Sequence, residues 1–131
     1  FMKTLQFFPV LVSLLFACTA HAQPFSPQTQ REEVTHLLEF IEQSNCQFNR
    51  NGSWHQSRDA RLHLQKKYDY LGKRDLVPDA ERFIERAASQ SSMSRQAYKV
   101  RCADGKEIAS ASWLTEELAR YRKARAKQAP Q

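Results

Sequence analysis

The side chains able to carry acid–base or nucleophilic chemistry are few in this sequence. Histidines stand at His21, His36, His55 and His63, and hydroxyls cluster at Ser89, Ser91, Ser92 and Ser94. A histidine within about 2.6–3.2 Å of a serine hydroxyl is the minimal apparatus of nucleophilic hydrolysis, because the ring takes the proton as the oxygen attacks. In that reading the chain is a small hydrolase-like enzyme with His63 or His55 as base. No Gly-x-Ser-x-Gly elbow supports it, and serines that follow a helix more often satisfy free carbonyls than attack substrates. The sequence therefore assigns no catalytic residue. Its best constellation is Arg50, Asn51, His55, His63 and the Ser89–Ser92 segment, which form a polar pocket if the first hairpin folds toward the end of the third helix, with Arg50, Asn51, His63 and Ser91 as the ligand-binding candidates. His63 precedes core-facing Leu64 and reads as a partly buried, hydrogen-bonded ring. No histidines pair as His-x-x-x-His, Cys46, His55, His63 and Cys102 lack zinc-ligand spacing, and three glycines are too few for a phosphate-cradling loop. Neither a metal nor a cofactor is expected.

Cysteine chemistry depends on compartment. Residues 1–22 carry Lys3, an apolar stretch from Leu5 to Ala17 broken by Pro9, and Ala20-His21-Ala22, small residues where signal peptidase reads. This predicts a signal peptide cleaved after Ala22 and a periplasmic or secreted protein. A competing route is Leu15-Phe16-Ala17-Cys18, which resembles a lipobox and would make an outer-membrane lipoprotein acylated at Cys18. Cys46 and Cys102 remain, an even pair in an oxidising compartment, and are predicted to form one disulfide. Closing a loop of about 57 residues removes denatured-state entropy worth on the order of 4 kcal/mol. The rival roles, catalytic thiolate or metal ligand, need the reduced sulfur.

The elements that would position these groups follow from periodicity. Residues 23–30 hold two prolines and read as a flexible leader. From Arg31, Val34, Leu37, Leu38 and Ile41 recur at helical spacing, with Glu32, Glu33, Glu39 and Glu42 turned outward. An alternating run from Cys46 to Arg50, then Asn51-Gly52 and Ser53-Trp54-His55, predicts a hairpin with a type I′ turn. Ser57 or Asp59 is expected to cap a second helix striped by Ala60, Leu64, Tyr68 and Leu71, ending near Gly72. A third helix opens at Pro78 and buries Ala80, Phe83, Ile84, Ala87 and Ala88. After a serine-rich loop, Tyr98, Val100 and Cys102 alternate inward along a strand. A three-residue loop, Ala103-Asp104-Gly105 with left-handed Gly105, sets Ile108 opposite Val100, whereas a two-residue loop would put it on the wet face. Ser112 is expected to cap a last helix with Trp113 at its start and Leu114, Leu118, Tyr121 and Ala124 along its stripe. The predicted architecture is α+β: a single domain over 31–122 with four helices and two short hairpins, one disulfide clamping the hairpins around one core, and a basic disordered tail at 123–131.

Length and charge narrow the function classes. A chain of 131 residues rules out a multidomain enzyme, and beyond the N-terminus no run approaches the roughly 20 apolar residues of a membrane helix. The formal charge is +6, yet once Lys3 is set aside the cations after the last acid, Arg120, Arg122, Lys123, Arg125 and Lys127, account for the whole excess. They end a helix, where cations complement the dipole, so a nucleic-acid partner is not expected. The expected partner is an envelope protein or an anionic surface.

Four segments carry a resemblance: Arg50-Asn51-Gly52; Ala60-x-x-His63-Leu64-x-x-Lys67; Ala80-Glu81-x-Phe83-Ile84-Glu85-x-x-Ala88-Ser89-x-Ser91-Ser92-x-Ser94; and Tyr98-x-Val100. Together they resemble the YfeK-like family of short secreted proteobacterial proteins. Members commonly carry Gly and Pro in the loop after the serines, where Arg95 and Ala97 stand here. The resemblance implies an exported single domain and brings no activity, catalytic residue or ligand with it. The functional expectation is a non-catalytic binding or accessory protein of the envelope.

Overall fold

In the computed structural model, which describes residues 26–129, helix α1 (Pro27–Gln43) begins ahead of Arg31, where the apolar periodicity starts. Ser26 Oγ accepts from the Thr29 N–H at 3.1 Å, and Pro27 sits in the first turn, where a missing N–H costs nothing. The flexible leader expected over 23–30 is thus helical from residue 27. The expected signal peptide and Cys18 lie outside the described residues. Val34, Leu37, Leu38 and Ile41 are buried as their spacing requires. Glu33 is not turned outward: it is 2% exposed and meets Arg122, because the buried stripe is wide enough to include its position.

Strands β1 (Gln47–Arg50) and β2 (Ser53–Gln56) pair with Arg50 opposite Ser53, so Asn51 and Gly52 alone make the turn. Their φ angles, 53° and 83°, are the two positive values a type I′ turn needs. Helix α2 (Ser57–Gly72) follows β2 without a loop. The cap position therefore falls on Gln56, and neither Ser57 nor Asp59 caps the helix. Ser57 Oγ instead donates to the Glu42 carbonyl at 3.1 Å, tying the start of α2 to the end of α1.

Helix α3 (Ala80–Phe83) is capped by Asp79, which accepts from the Arg82 N–H at 2.7 Å, and it widens into a π-helical stretch, Ile84–Ala88. Ala80, Phe83, Ile84, Ala87 and Ala88 are all buried. Strands β3 (Lys99–Arg101) and β4 (Glu107–Ala109) pair with Val100 opposite Ile108, and Gly105 has φ 75°, as the three-residue loop requires. Ile108 nevertheless stays 42% exposed, since β4 is an edge strand. Helix α4 (Ser110–Gln128) again follows directly, with Ala109 at the cap position, so Ser112 is an ordinary first-turn residue. It runs on through the stretch expected as a disordered tail from 123. Along α4, Arg120, Arg122 and Arg125 pair with Glu117, Glu33 and Glu32.

The two hairpins do not stand apart. β1 pairs antiparallel with β3, Phe48 opposite Val100, giving one four-stranded sheet of order β2-β1-β3-β4. The Cys46–Cys102 disulfide closes the end of that central seam, with Cα atoms 4.4 Å apart. The α+β architecture with its four helices, two hairpins and single bridge is therefore present, with both hairpins in one sheet. Helix α1 touches α2, α3 and α4, and Phe83, Leu37, Ile41, Leu114, Val34 and Val100 form the fully buried centre. Arg122 forks onto both carboxylate oxygens of Glu33, at 2.6 and 2.9 Å, and also donates to Glu81, joining α4 to α1 and α3. Among the described residues no helix is long and apolar enough to cross a membrane.

Candidate ligand-binding site

Period-two alternation puts Arg50 on the same side of β1 as Phe48, and α2 crosses that side of the sheet. Helical spacing puts Ala60, His63, Leu64 and Lys67 on the face of α2 turned toward it. Tyr98, entering β3, closes the arrangement, its ring buried and its hydroxyl among polar groups. Between them lies a cavity of about 80 Å³ lined by Phe48, Arg50, His55, Ala60, Leu64 and Tyr98. The buried Ser110 and the exposed Asp59 also border it.

A continuous chain of hydrogen bonds runs along one wall. Arg50 Nη1 and His63 Nδ1 are 2.7 Å apart. A guanidinium has no acceptor, so Nδ1 accepts, and the neutral ring carries its hydrogen on Nε2. That Nε2–H donates to Tyr98 Oη at 3.2 Å. Lys67 Nζ donates to the same oxygen at 3.2 Å and to the Gln90 carbonyl at 3.0 Å. With two donors on its oxygen, the Tyr98 hydroxyl keeps its own hydrogen to donate.

The electrostatics follow from burial and like charge. Desolvation first, then the charges of Arg50 and Lys67, push the His63 ring down to about 4, which fixes it neutral at pH 7. Desolvation and Arg50 push the Lys67 ammonium down to about 8. Burial raises the Tyr98 phenol, with Arg50 opposing. Among the described residues neither Arg50 nor Lys67 forms an ion pair with a carboxylate.

The four residues expected to form one pocket are divided into two pairs. Arg50 and His63 meet at the cavity. Asn51 Nδ2 reaches Ser91 Oγ at 3.5 Å and Asn51 Oδ1 accepts from Ser94 Oγ at 2.5 Å. This second pair clasps the β1–β2 turn to the serine loop, and neither Asn51 nor Ser91 borders the cavity. No serine of the Ser89–Ser92 segment bonds to His63, whose two ring nitrogens are taken by Arg50 and Tyr98. His55 borders the cavity as well. The residues the sequence reading missed are Lys67, Tyr98 and Ser110. Lys67 is detectable as the i+4 neighbour of His63, whereas the alternation at Tyr98 points only to the core. Among the described residues no three His, Cys, Asp or Glu side chains gather to hold a metal ion.

A family model described as a family of unknown function (DUF5329) matches residues 28–122. No curated protein and no solved structure matches the chain.

Proposed function

The chain belongs to this family of unknown function, DUF5329, and from that premise we propose that it is a periplasmic, non-catalytic binding protein that engages another component of the cell envelope. The observation that carries the reading is Arg50, part-buried at the cavity, braced by His63 and unpaired with any described carboxylate. A half-buried cation at a concave site, with no counter-ion in the described fold, is available to an anionic partner. His63 supports this use over a hydrolytic one: a ring held near 4 with both nitrogens engaged is a brace for the guanidinium and a weak base at neutral pH. Export is supported by the Cys46–Cys102 bridge, a bond that persists in oxidising compartments. The N-terminal pattern with Ala20-His21-Ala22 and the likeness to the YfeK-like proteins point the same way.

Two measurements test the proposal. Intact mass of the protein recovered from the envelope is expected to match cleavage after Ala22; a mass matching a lipid on Cys18 would make it an outer-membrane lipoprotein. A photo-crosslinker at Asp59, at the cavity border, is expected to trap a defined envelope component in cells, and Arg50→Met is expected to abolish that product. A specific hydrolytic or transfer activity that disappears when His63 or Ser91 is changed would overturn the binding reading.

A further inference from the structure

Arg50 has more hydrogen-bonding capacity than the described residues use. One arm of its guanidinium is held by His63, and its remaining N–H groups have no partner among the described residues. A guanidinium is a planar fork; with one arm fixed, a neighbouring pair of N–H groups is pre-set for the two oxygens of a single carboxylate. Lys67 adds positive potential, with two of its three hydrogens turned to Tyr98 and Gln90. Hydrocarbon from Phe48, Ala60 and Leu64 lines the same cavity, beside the polar His55, Asp59 and Ser110. A doubly charged phosphate is served best by several cations, and Arg50 is the one Lys or Arg among the described lining residues. Its volume, about 80 Å³, is roughly half of the ~150 Å³ that accommodates a benzene ring. The space suits a stem of a few carbons.

We propose that this cavity binds a carboxylate carried on a short apolar stem, with Arg50 taking both oxygens and Phe48, Ala60 and Leu64 enclosing the stem. The inference rests on the binding reading above and names the chemistry its site takes. Such a group is offered either by a free short-chain acid or by the terminal carboxylate of a peptide. Asp59 opposes any anion here, and it does so weakly because it is exposed to screening water. The site is thus tuned below its possible affinity, and removing that charge should strengthen binding.

The test uses the full mature chain with nitrogen-15 label, following the Arg50 side-chain N–H resonances. Butyrate is expected to shift them and to saturate on the order of 1–10 mM, a range suited to a ligand of this size. Butyramide, of nearly the same shape, and inorganic phosphate at equal ionic strength are expected to leave them in place. Arg50→Lys, which keeps charge and loses the fork, should weaken butyrate at least about tenfold, and Asp59→Asn should tighten it a few-fold. A short peptide with a free C-terminus that binds more tightly than butyrate identifies a protein-borne carboxylate; one that binds no better identifies a small acid. Equal response to butyramide, response to phosphate alone, or no saturation by about 50 mM butyrate overturns the proposal. If Arg50→Lys fails to fold, the butyrate–butyramide comparison on the unaltered chain still decides. Envelope capture at Asp59 without any carboxylate response removes this inference alone, whereas loss of both removes the binding reading with it.

Discussion

At His63 a single proton separates a working brace from a broken one. The ring accepts from Arg50 through Nδ1, and protonation there would set two cations against each other. Its folded value near 4 lies below the 6.5 of the unfolded ring. As pH falls the unfolded chain therefore binds the proton first, so this contribution to stability is whole above pH 6.5 and drains away between 6.5 and about 4. Solvent screening of a part-exposed ring limits the loss to about 1–2 kcal/mol. His63→Gln keeps an acceptor and cannot charge, so urea denaturation across that window should show a flatter pH slope than the parent; identical slopes would remove the assigned role. Arg50 and His63 were both legible in the sequence, one from strand alternation and the other from its place beside Leu64. Tyr98 was not, because alternation describes where a ring goes and says nothing about a hydroxyl at its far end. Arg95 adds a second residue-scale departure. Its φ of 60° is left-handed, a conformation that glycine adopts freely and an arginine seldom does.

Helices α2 and α4 share one error of expectation with one cause. Both start directly from a strand, at Gln56-Ser57 and Ala109-Ser110, so serines that look like caps lie inside the helix. The stripes themselves, set by local spacing, fell where periodicity put them. Cross-chain pairing is the opposite case: nothing near Glu33 in sequence announces Arg122, 89 residues away. Glu33 is the buried member, with 3% of its side chain exposed against 40% for Arg122. Arg122→Met strands that carboxylate, and chemical denaturation should register a loss of at least about 2 kcal/mol, short of the roughly 3–5 kcal/mol of a fully buried pair because Arg122 itself is partly in water. Arg82→Met, which breaks an exposed pair with Glu85, should stay within about 0.5 kcal/mol. Equal effects would show that the Glu33 fork does not hold the helices together. The π-helical stretch likewise had no local signal, since five buried residues at Ala80, Phe83, Ile84, Ala87 and Ala88 also fit an α-helical stripe. Its exit presents the Ser89 carbonyl to the Tyr98 N–H at 2.9 Å and the Gln90 carbonyl to Lys67, which holds Tyr98 of the cavity wall and its hydrogen-bond partner Lys67 in place.

For the molecule as a whole, the sheet is assembled across a long stretch of chain. β1 and β3 are its inner strands, and only their pairing makes two marginal hairpins into one surface able to carry α2 and α4. The turns at Asn51-Gly52 and Gly105 were legible because each demands particular backbone angles; the β1–β3 seam was foreseen only as far as the cysteines on either side of it. Reducing the Cys46–Cys102 bond should lower unfolding stability by on the order of 4 kcal/mol, with the full drop also seen when both cysteines are replaced by alanine. Undiminished heat resistance after complete reduction would mean that the core alone suffices. The position of the bridge also governs what a cut does. Residues 92–96 stand exposed between the two inner strands. A protease that severed the chain there would yield two polypeptides still bolted across the middle of one sheet, so the nicked molecule would travel as a unit and come apart only under a reductant.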